Sequence, residues 1–522
     1  MSLSLESSAV VLDFPFKDCY LGGGATKDDQ KRQEIFFNEL IANDEVRQML
    51  SPKVLGSAIK YSKNGIEEIN QFDENDNLII KGNNLIALAS LLKRYEGKVK
   101  CIYIDPPYNT GNDSFNYNDK FNHSSWLVFM KNRLELAKRL LRDDGVIWVS
   151  LDDNQAHYCK IIMDEIFGSS NFVNDVIWNS TKSVTNTAII SNSHTHTLLF
   201  FNKKEYFIKN RNKFRLEEDG EGFSNPDNDP RGPWKADPFQ VGGWRPNQQY
   251  EIRNPKTGVI YRPNENCSWK NEYNKFIELW NDNRIIFGVD GNSGPQRKRF
   301  LYEAKEKGKV VKTIWDDVGT TTNGTQHIKS LFGKSIFSRP KTWTANKKIM
   351  DLSTSESDIV LDFFLGSGTT AAVAHKMNRR YIGIEQMDYI QDITVERLKK
   401  VIDGEQGGIS KLVNWQGGGS FVYCELLENS QKLINEVQKA DESNIAQVKN
   451  KVFSDDRIIP YITTSELQQI NDEFNVLNIR DKKQILIKLI DKNRLYVNFS
   501  DMYDEAYSVS ETDKNFTNSF YK

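Results

Sequence analysis

Short apolar runs alternating with amphipathic stretches mark two parts of the chain as α/β in character. In the first, Leu78-Ile79-Ile80 predicts a strand, Asn83 to Tyr95 a helix, and Val99 to Ile104 a second strand. Trp126 to Leu141 keeps apolar residues at 126, 127, 130, 134, 137, 140 and 141, the stripe of a helix packed on a core. Asp143-Asp144-Gly145 then turns the chain into a buried strand, Val146 to Leu151, and Gln155 to Phe167 predicts another helix. In the second part, Ile359-Val360-Leu361 leads through a glycine-rich turn into a helix over Ala371 to Met377 and a strand from Arg380 to Glu385. Strands and helices in this alternation predict a mostly parallel sheet.

The stretches around these parts read differently. At the N-terminus an apolar opening, Val10 to Lys17, and Gly22-Gly23-Gly24 precede a helical pattern from Lys31 to Leu50. Its Phe36, Phe37, Leu40 and Ile41 serve either packing on their own lobe or a partner. Between the two α/β parts, Asn179 to about Ser335 has short strands such as Leu198 to Phe201 and many turn signals. Tryptophans and basic residues interleave there: Trp234-Lys235, Trp244-Arg245, Trp269-Lys270, Arg297-Lys298-Arg299, then Lys305, Lys307, Lys309 and Lys312. Gln416 to Ser420 is a glycine-rich hinge before the strand Phe421 to Leu426, and the tail is helical, polar and acidic around Asp501, Asp504, Glu505, Glu511 and Asp513. Five regions are therefore expected: an N-terminal extension (1–75), two α/β halves (76–178 and 336–415), an insertion between them (179–335) and a C-terminal interaction lobe (416–522).

Composition narrows the class. The 522 residues exceed one core; 27% charged and 38% hydrophobic residues suit a globular protein, and a net charge of −2 leaves room only for a local basic face. The five cysteines are scattered without a CxxC or Cys/His cluster, so no metal site is read. Neither a signal peptide nor a membrane-crossing run is seen, and the expected location is the cytoplasm.

The candidate chemistry sits where β-type runs end. Val99 to Ile104 stops at Asp105-Pro106-Pro107-Tyr108, and prolines hold such a loop rigidly. An exocyclic amino nitrogen is planar and a poor nucleophile until acceptors hold its hydrogens. Asp105 and the Pro106 carbonyl can accept them, and Tyr108 can stack on a base taken out of a duplex. The second motif, Asp362-Phe363-Phe364-Leu365-Gly366-Ser367-Gly368-Thr369-Thr370, is followed by an acid, Glu385, at the end of the next strand. Glu385 suits the two hydroxyls of a ribose. Asp362 would repel a pyrophosphate, whereas S-adenosylmethionine has a ribose and a sulfonium that acids do not oppose. Asp152-Asp153-Asn154 either caps the following helix or meets a ligand.

Asp105-Pro106-Pro107-Tyr108 together with Phe364-Leu365-Gly366-Ser367-Gly368 resembles the amino-methyltransferases of DNA, in the β order in which the catalytic motif precedes the recognition region and the cofactor motif. Val11 to Cys19, Trp126 to Leu134, Leu151 to Asn154, Thr313 to Val318, Phe337 to Lys341 and Leu495 to Ser500 further resemble the Mod subunits of type III restriction-modification systems. The resemblance implies a Rossmann-like, S-adenosylmethionine-dependent methyltransferase sheet, circularly permuted, with 179–335 as an inserted target-recognition domain. It also implies adenine N6 in double-stranded DNA as target, a flipped base, a homodimer and a Res helicase-nuclease partner. Carried onto this sequence, Asp105, Pro106, Pro107 and Tyr108 are catalytic. Asp362, Phe364, Gly366, Ser367, Gly368, Thr369 and Glu385 hold cofactor, with Lys341 as a further cofactor candidate. Lys182, His196, Arg297, Lys298 and Arg299 are candidates for DNA contact, and for His196 a plain surface role is the alternative. An orphan or type II enzyme, cytosine N4 as target, and a catalytically silent specificity subunit remain the competing readings.

Overall fold

The computed structural model describes residues 12–22, 35–38, 40, 43–110, 122–288, 290–334, 336–337, 340–428, 431–453, 474, 477–493 and 496–522. Val10, Val11, Gly23, Gly24, residues 31–34, Glu39, Ile41, Ala42, Ser335, Ser338, Arg339 and Leu495, which belong to stretches quoted above, lie outside them.

Among the described residues, eleven strands form one mixed sheet. In chain order they are β1 (Leu55–Ser62), β2 (Gly65–Glu68), β3 (Leu78–Lys81), β4 (Val99–Ile104), β5 (Leu141–Leu151), β6 (Phe172–Trp178), β7 (Thr195–Phe201), β8 (Ile314–Trp315), β9 (Ile359–Asp362), β10 (Arg380–Glu385) and β11 (Ser420–Leu426). Their spatial order is β8-β6-β7-β5-β4-β9-β10-β3-β11-β1-β2. From β5 through β4, β9, β10 and β3 to β11 every pairing is parallel, so these strands end at a common edge. Buried on both faces, they read as continuous apolar runs, which is why the sequence shows them plainly.

Helices cover both faces. Ile102, Ile104, Ile147, Val149, Leu361 and Ile382 share a core with α1 (Asn84–Tyr95), α2 (His123–Leu140), α3 (Ala156–Phe167) and, from the C-terminus, the helix Glu511–Tyr521. The alternate positions point the other way: Trp148 donates to Ser353 of α4 (Trp343–Ser353) at 2.9 Å, and Tyr381 meets His375 of α5 (Thr369–Lys376) at 3.0 Å.

Several boundaries differ from the sequence reading. β1 and β2 fall within the expected N-terminal extension, β7 and β8 within the expected insertion, and β11 within the expected C-terminal lobe, yet all five belong to the central sheet. The helix pattern over Lys31 to Leu50 is a strand at Ile35–Asn38 and a shorter helix at Asn43–Leu50. The strand pairs with Cys19–Gly22, and Phe36 stacks on Phe16 at 4.1 Å, so tertiary pairing overrides the local period.

The chain divides into two compact units, one formed by 1–209 with 312–522, the other by Asn210–Val311. The second has its own core of Phe239, Ile252, Trp269, Phe276, Leu279, Ile285 and Phe287. Among the described residues no helix is long and apolar enough to cross a membrane.

Candidate active site

β4 and β9 are distant in sequence but adjacent in the sheet, with Cys101 opposite Val360 and Ile102 opposite Leu361. The segments that follow them, Asp105 to Tyr108 and the glycine turn, therefore leave the sheet side by side at its carboxyl edge, where open α/β sheets build their sites. Trp126 of α2 donates its indole N–H to the Pro107 carbonyl at 2.8 Å and pins the Pro-Pro loop. Asn109 then takes φ of 57°, a left-handed conformation that asparagine tolerates better than most residues. Burial, followed by the charge of Asp105, holds the Tyr108 phenol well above its usual pKa, so it stays neutral. Lys341, a cofactor candidate in the sequence, stands at this loop: its ammonium is 3.2 Å from Asp105 Oδ1 and donates to the Tyr108 hydroxyl.

In the turn after β9, Gly366 and Gly368 have φ of 54° and 75°. Gly368 opens α5, and a Cβ there would lie 2.9 Å from Thr394 Cγ2, so conformation and space both call for glycine. Asp362 is buried, accepts from the Phe364 amide at 3.0 Å and the Thr370 hydroxyl at 2.6 Å, and is pushed up to about 7 chiefly by burial. Glu385 ends β10. Its Oε1 accepts from the amides of Gln386 and Met387 at 2.8 and 2.9 Å; its Oε2 accepts from the Gly366 amide at 2.8 Å and the Tyr389 hydroxyl at 3.0 Å. The acid thus clasps the glycine turn to its own strand end. Phe364 is buried near Phe129, with ring centroids 6.0 Å apart.

Three groups that hold the site together were not foreseen. Arg397 is buried in α6 (Glu396–Ile402) and donates to the Ser367 carbonyl at 3.1 Å and the Thr369 hydroxyl at 2.7 Å. It therefore ties Ser367 and Thr369 down from below. Thr394, in a π-helical turn just before, donates to the Gly366 carbonyl at 2.7 Å. Arg133 is fully buried, lies over the Phe129 ring at 3.5 Å and donates to Asn84, which in turn donates to the Phe363 carbonyl at 2.8 Å. Burial lowers its pKa to about 9. The signal for Arg133 was present: it falls on the apolar stripe of α2, where a charge is out of place. For Arg397 and Thr394 no such pattern exists.

Of the DNA-contact candidates, Lys182 and His196 belong to the first unit and Arg297, Lys298 and Arg299 to the second. Lys182 is exposed in the 179–194 segment after β6. His196 lies in β7, and each of its ring nitrogens meets a carboxylate: Nδ1 at 2.7 Å from Asp175 and Nε2 at 2.9 Å from Asp153. The two acids, Asp175 first, raise its pKa to about 9 against the opposing effect of burial, so it is a charged clamp. Asp153 therefore neither caps α3 nor lies free. Asp153, His194 and His196 each place one potential donor atom within 4.8 Å of the others.

Arg297, Lys298 and Arg299 lie on the strand Gln296–Phe300 of the second unit. Lys298 is a correction to the sequence reading: it is fully buried between Asp227 and Asp229, 2.9 Å from the latter, because strand alternation turns it inward beside Phe300. Arg297 and Arg299 are partly exposed. Trp234 and Trp269 are likewise core residues, whereas Trp244 is 66% exposed.

A family model for DNA methylases (N6_N4_Mtase) matches residues 99–396. The HindVI Mod subunit of Haemophilus influenzae strain Rd, described as a probable type III restriction-modification enzyme, is 35% identical across 99% of this chain and 85% of its own length. The StyLTI Mod subunit of Salmonella typhimurium, from a type III restriction-modification enzyme, is 33% identical over 58% of this chain and 50% of its own. Among solved structures, the M1.HpyAVI complex with S-adenosylmethionine covers 62% of this chain and 98% of its own at 14% identity, with a TM-score of 0.31. The family match begins at the strand before Asp105 and extends past the glycine turn, and one relative aligns almost end to end, so the chain belongs to the N6/N4 DNA methylase family, among the Mod subunits of type III restriction-modification enzymes.

Proposed function

We propose that this chain is the modification and specificity subunit of a type III restriction-modification system, transferring a methyl group from S-adenosylmethionine to adenine N6 in double-stranded DNA. The observation that carries this reading is the register of β4 on β9, which sets the Asp105 loop beside the glycine turn. In this reading the protein acts in the cytoplasm as a homodimer, with a Res helicase-nuclease subunit as partner, and Asn210–Val311 supplies much of the DNA-reading surface.

The residues around the turn fit the donor. Glu385 already accepts three main-chain amides, and the Tyr389 hydroxyl is a side-chain donor that a ribose hydroxyl would replace. Gln386 Oε1 is buried without a partner among the described residues and offers an acceptor to the nucleoside. Two acids in this cradle oppose a phosphate and favour a cation. S-adenosylmethionine supplies an electrophilic methyl group on a positively charged sulfur.

Asp105 does the rest. As an ionised acceptor it holds one amino hydrogen of the flipped base, while the Pro106 carbonyl is the acceptor for the other. Held this way, the nitrogen becomes pyramidal and its lone pair attacks the methyl carbon in line with the departing sulfur. The carbon–nitrogen bond forms as the carbon–sulfur bond breaks, the positive charge passes to nitrogen beside the Asp105 carboxylate, and the surplus proton leaves to water. Neutral Tyr108 offers a ring face to the base.

The test is to express wild type and Asp105→Ala and digest the DNA to nucleosides for mass spectrometry. Wild type should deposit N6-methyladenine, and the variant should lose about 10³-fold in rate with cofactor binding kept, the effect of removing one oriented polar group from a reacting centre. N4-methylcytosine would overturn the choice of base. No methylated base at all, with sequence-specific binding intact, would make the chain a silent specificity subunit.

A further inference from the structure

Lys341 is built into the catalytic loop's surroundings rather than left on the surface. Its side chain is only 10% exposed, against 28% for Asp105. The backbone on either side is pinned. Thr342 is fully buried, caps α4 by accepting from the Thr344 amide at 3.2 Å, and donates to the Val318 carbonyl at 3.0 Å. On the other side the helix Thr321–Phe332 comes so near that a Cβ on Gly324 would lie 2.3 Å from the Pro340 carbonyl. The ammonium is thereby carried to a fixed point, 4.9 Å from the Tyr108 ring centre and 5.3 Å from that of Trp178.

At that point Asp105 Oδ1 is buried and accepts no hydrogen bond among the described residues, so the ammonium at 3.2 Å is its counter-charge. An ammonium has three donors and can serve two acceptors at once. Tyr389, Thr394, Arg397 and main-chain amides supply hydrogen bonds to Glu385, Gly366 and Thr369, whereas the described contacts of the Lys341 ammonium are at Asp105, Tyr108 and Trp178.

We propose that Lys341 is a positioning residue of the methyl-transfer site: it holds Asp105 Oδ1 and the Tyr108 hydroxyl, so that Asp105 Oδ2 and the Tyr108 ring are presented to the amino-bearing base. This rests on the methyl-transfer reading above. Its consequence is electrostatic as well as geometric. A cation this close balances the charge of the Asp105 carboxylate in a site largely closed to water. The titratable groups that meet Asp105 are Lys341, Tyr108, Tyr103 and the buried Asp362, with Asp152 acting on Tyr108. Lys341 is the cation of this set.

The experiment compares wild type, Lys341→Met and Lys341→Arg in the full-length protein by single-turnover methylation of duplex DNA, with S-adenosylmethionine affinity and melting temperature measured in parallel. In Lys341→Met the rate should fall about 10- to 100-fold at saturating cofactor, with cofactor affinity held within about twofold. Lys341→Arg should recover only part of the rate, because a planar fork replaces a point charge. An undiminished rate in Lys341→Met overturns the proposal, as does a loss confined to cofactor affinity, which would return Lys341 to the cofactor. Wild-type protein inactive on every DNA would instead sink the methyl-transfer reading, an outcome separate from either variant's behaviour.

Discussion

His196 is charged because Asp153, in the turn after β5, and Asp175, in β6, converge on its two nitrogens. Its pKa rises from 6.5 to about 9, so folding favours the protonated ring. The sign follows from linkage: the stabilisation is complete below pH 6.5, where the ring is charged in folded and unfolded chains alike, and is lost as pH rises through about 9. Thermal melts should therefore show wild type losing more stability than His196→Gln between those limits, with the two curves converging on the alkaline side. Parallel curves across the range would show that the clamp holds no proton. The sequence offered His196 as a DNA contact or a surface residue. The fold makes it a buried clamp between two carboxylates, a state that only the folded sheet brings together. Asp105 and Glu385 were legible for the opposite reason: each stands directly at the end of an apolar run, and local sequence suffices to show that.

The strand Gln296–Phe300 makes the same point one level up. Its Arg-Lys-Arg run reads as a basic patch, but a period of two divides it: Arg297 and Arg299 face one way, and Lys298 faces the core. Lys298 is held by Asp227 and Asp229, and Asp229 also takes the guanidinium of Arg231 at 2.9 Å. Lys298→Met leaves two buried or half-buried carboxylates short of a cation and should destabilise the unit by about 3–5 kcal/mol. Urea unfolding followed by the tryptophan signal of Trp234 and Trp269 would measure it. Arg299→Ala should leave that transition in place and lower the salt dependence of DNA binding, a slope change near one ion per lost phosphate contact. If Lys298→Met left stability unchanged while weakening DNA binding, the inward assignment would fail. Alternation was readable in principle, but nothing in the run says which face is inward; the partners Asp227 and Asp229 come from a turn far upstream.

At the scale of the molecule, the long apolar strands of the two α/β halves announced a parallel sheet, and the sheet that formed is larger than they implied. β1, β2 and β11 extend it at one side and β6, β7 and β8 at the other, because parallel strands leave open edges that neighbouring chain must cover. These additions were hidden in segments whose local composition resembles extensions and loops. The compact insertion is correspondingly smaller, Asn210–Val311. Its two chain ends enter side by side: Leu216 and Lys309 exchange backbone hydrogen bonds at 3.0 and 2.7 Å. Because that pair closes the insertion at its base, a short Gly-Ser linker between the residues flanking it can replace everything beyond without stretching the chain. The shortened protein should keep the cooperative melting of the sheet and bind S-adenosylmethionine within about threefold of wild type, since Asp362, Gly366 and Glu385 are held by hydrogen bonds from within the sheet's own unit. Methylation at the recognition site should fall to background. Retained site-specific methylation would place base reading elsewhere, and lost cofactor binding would mean that the sheet depends on the insertion for its fold.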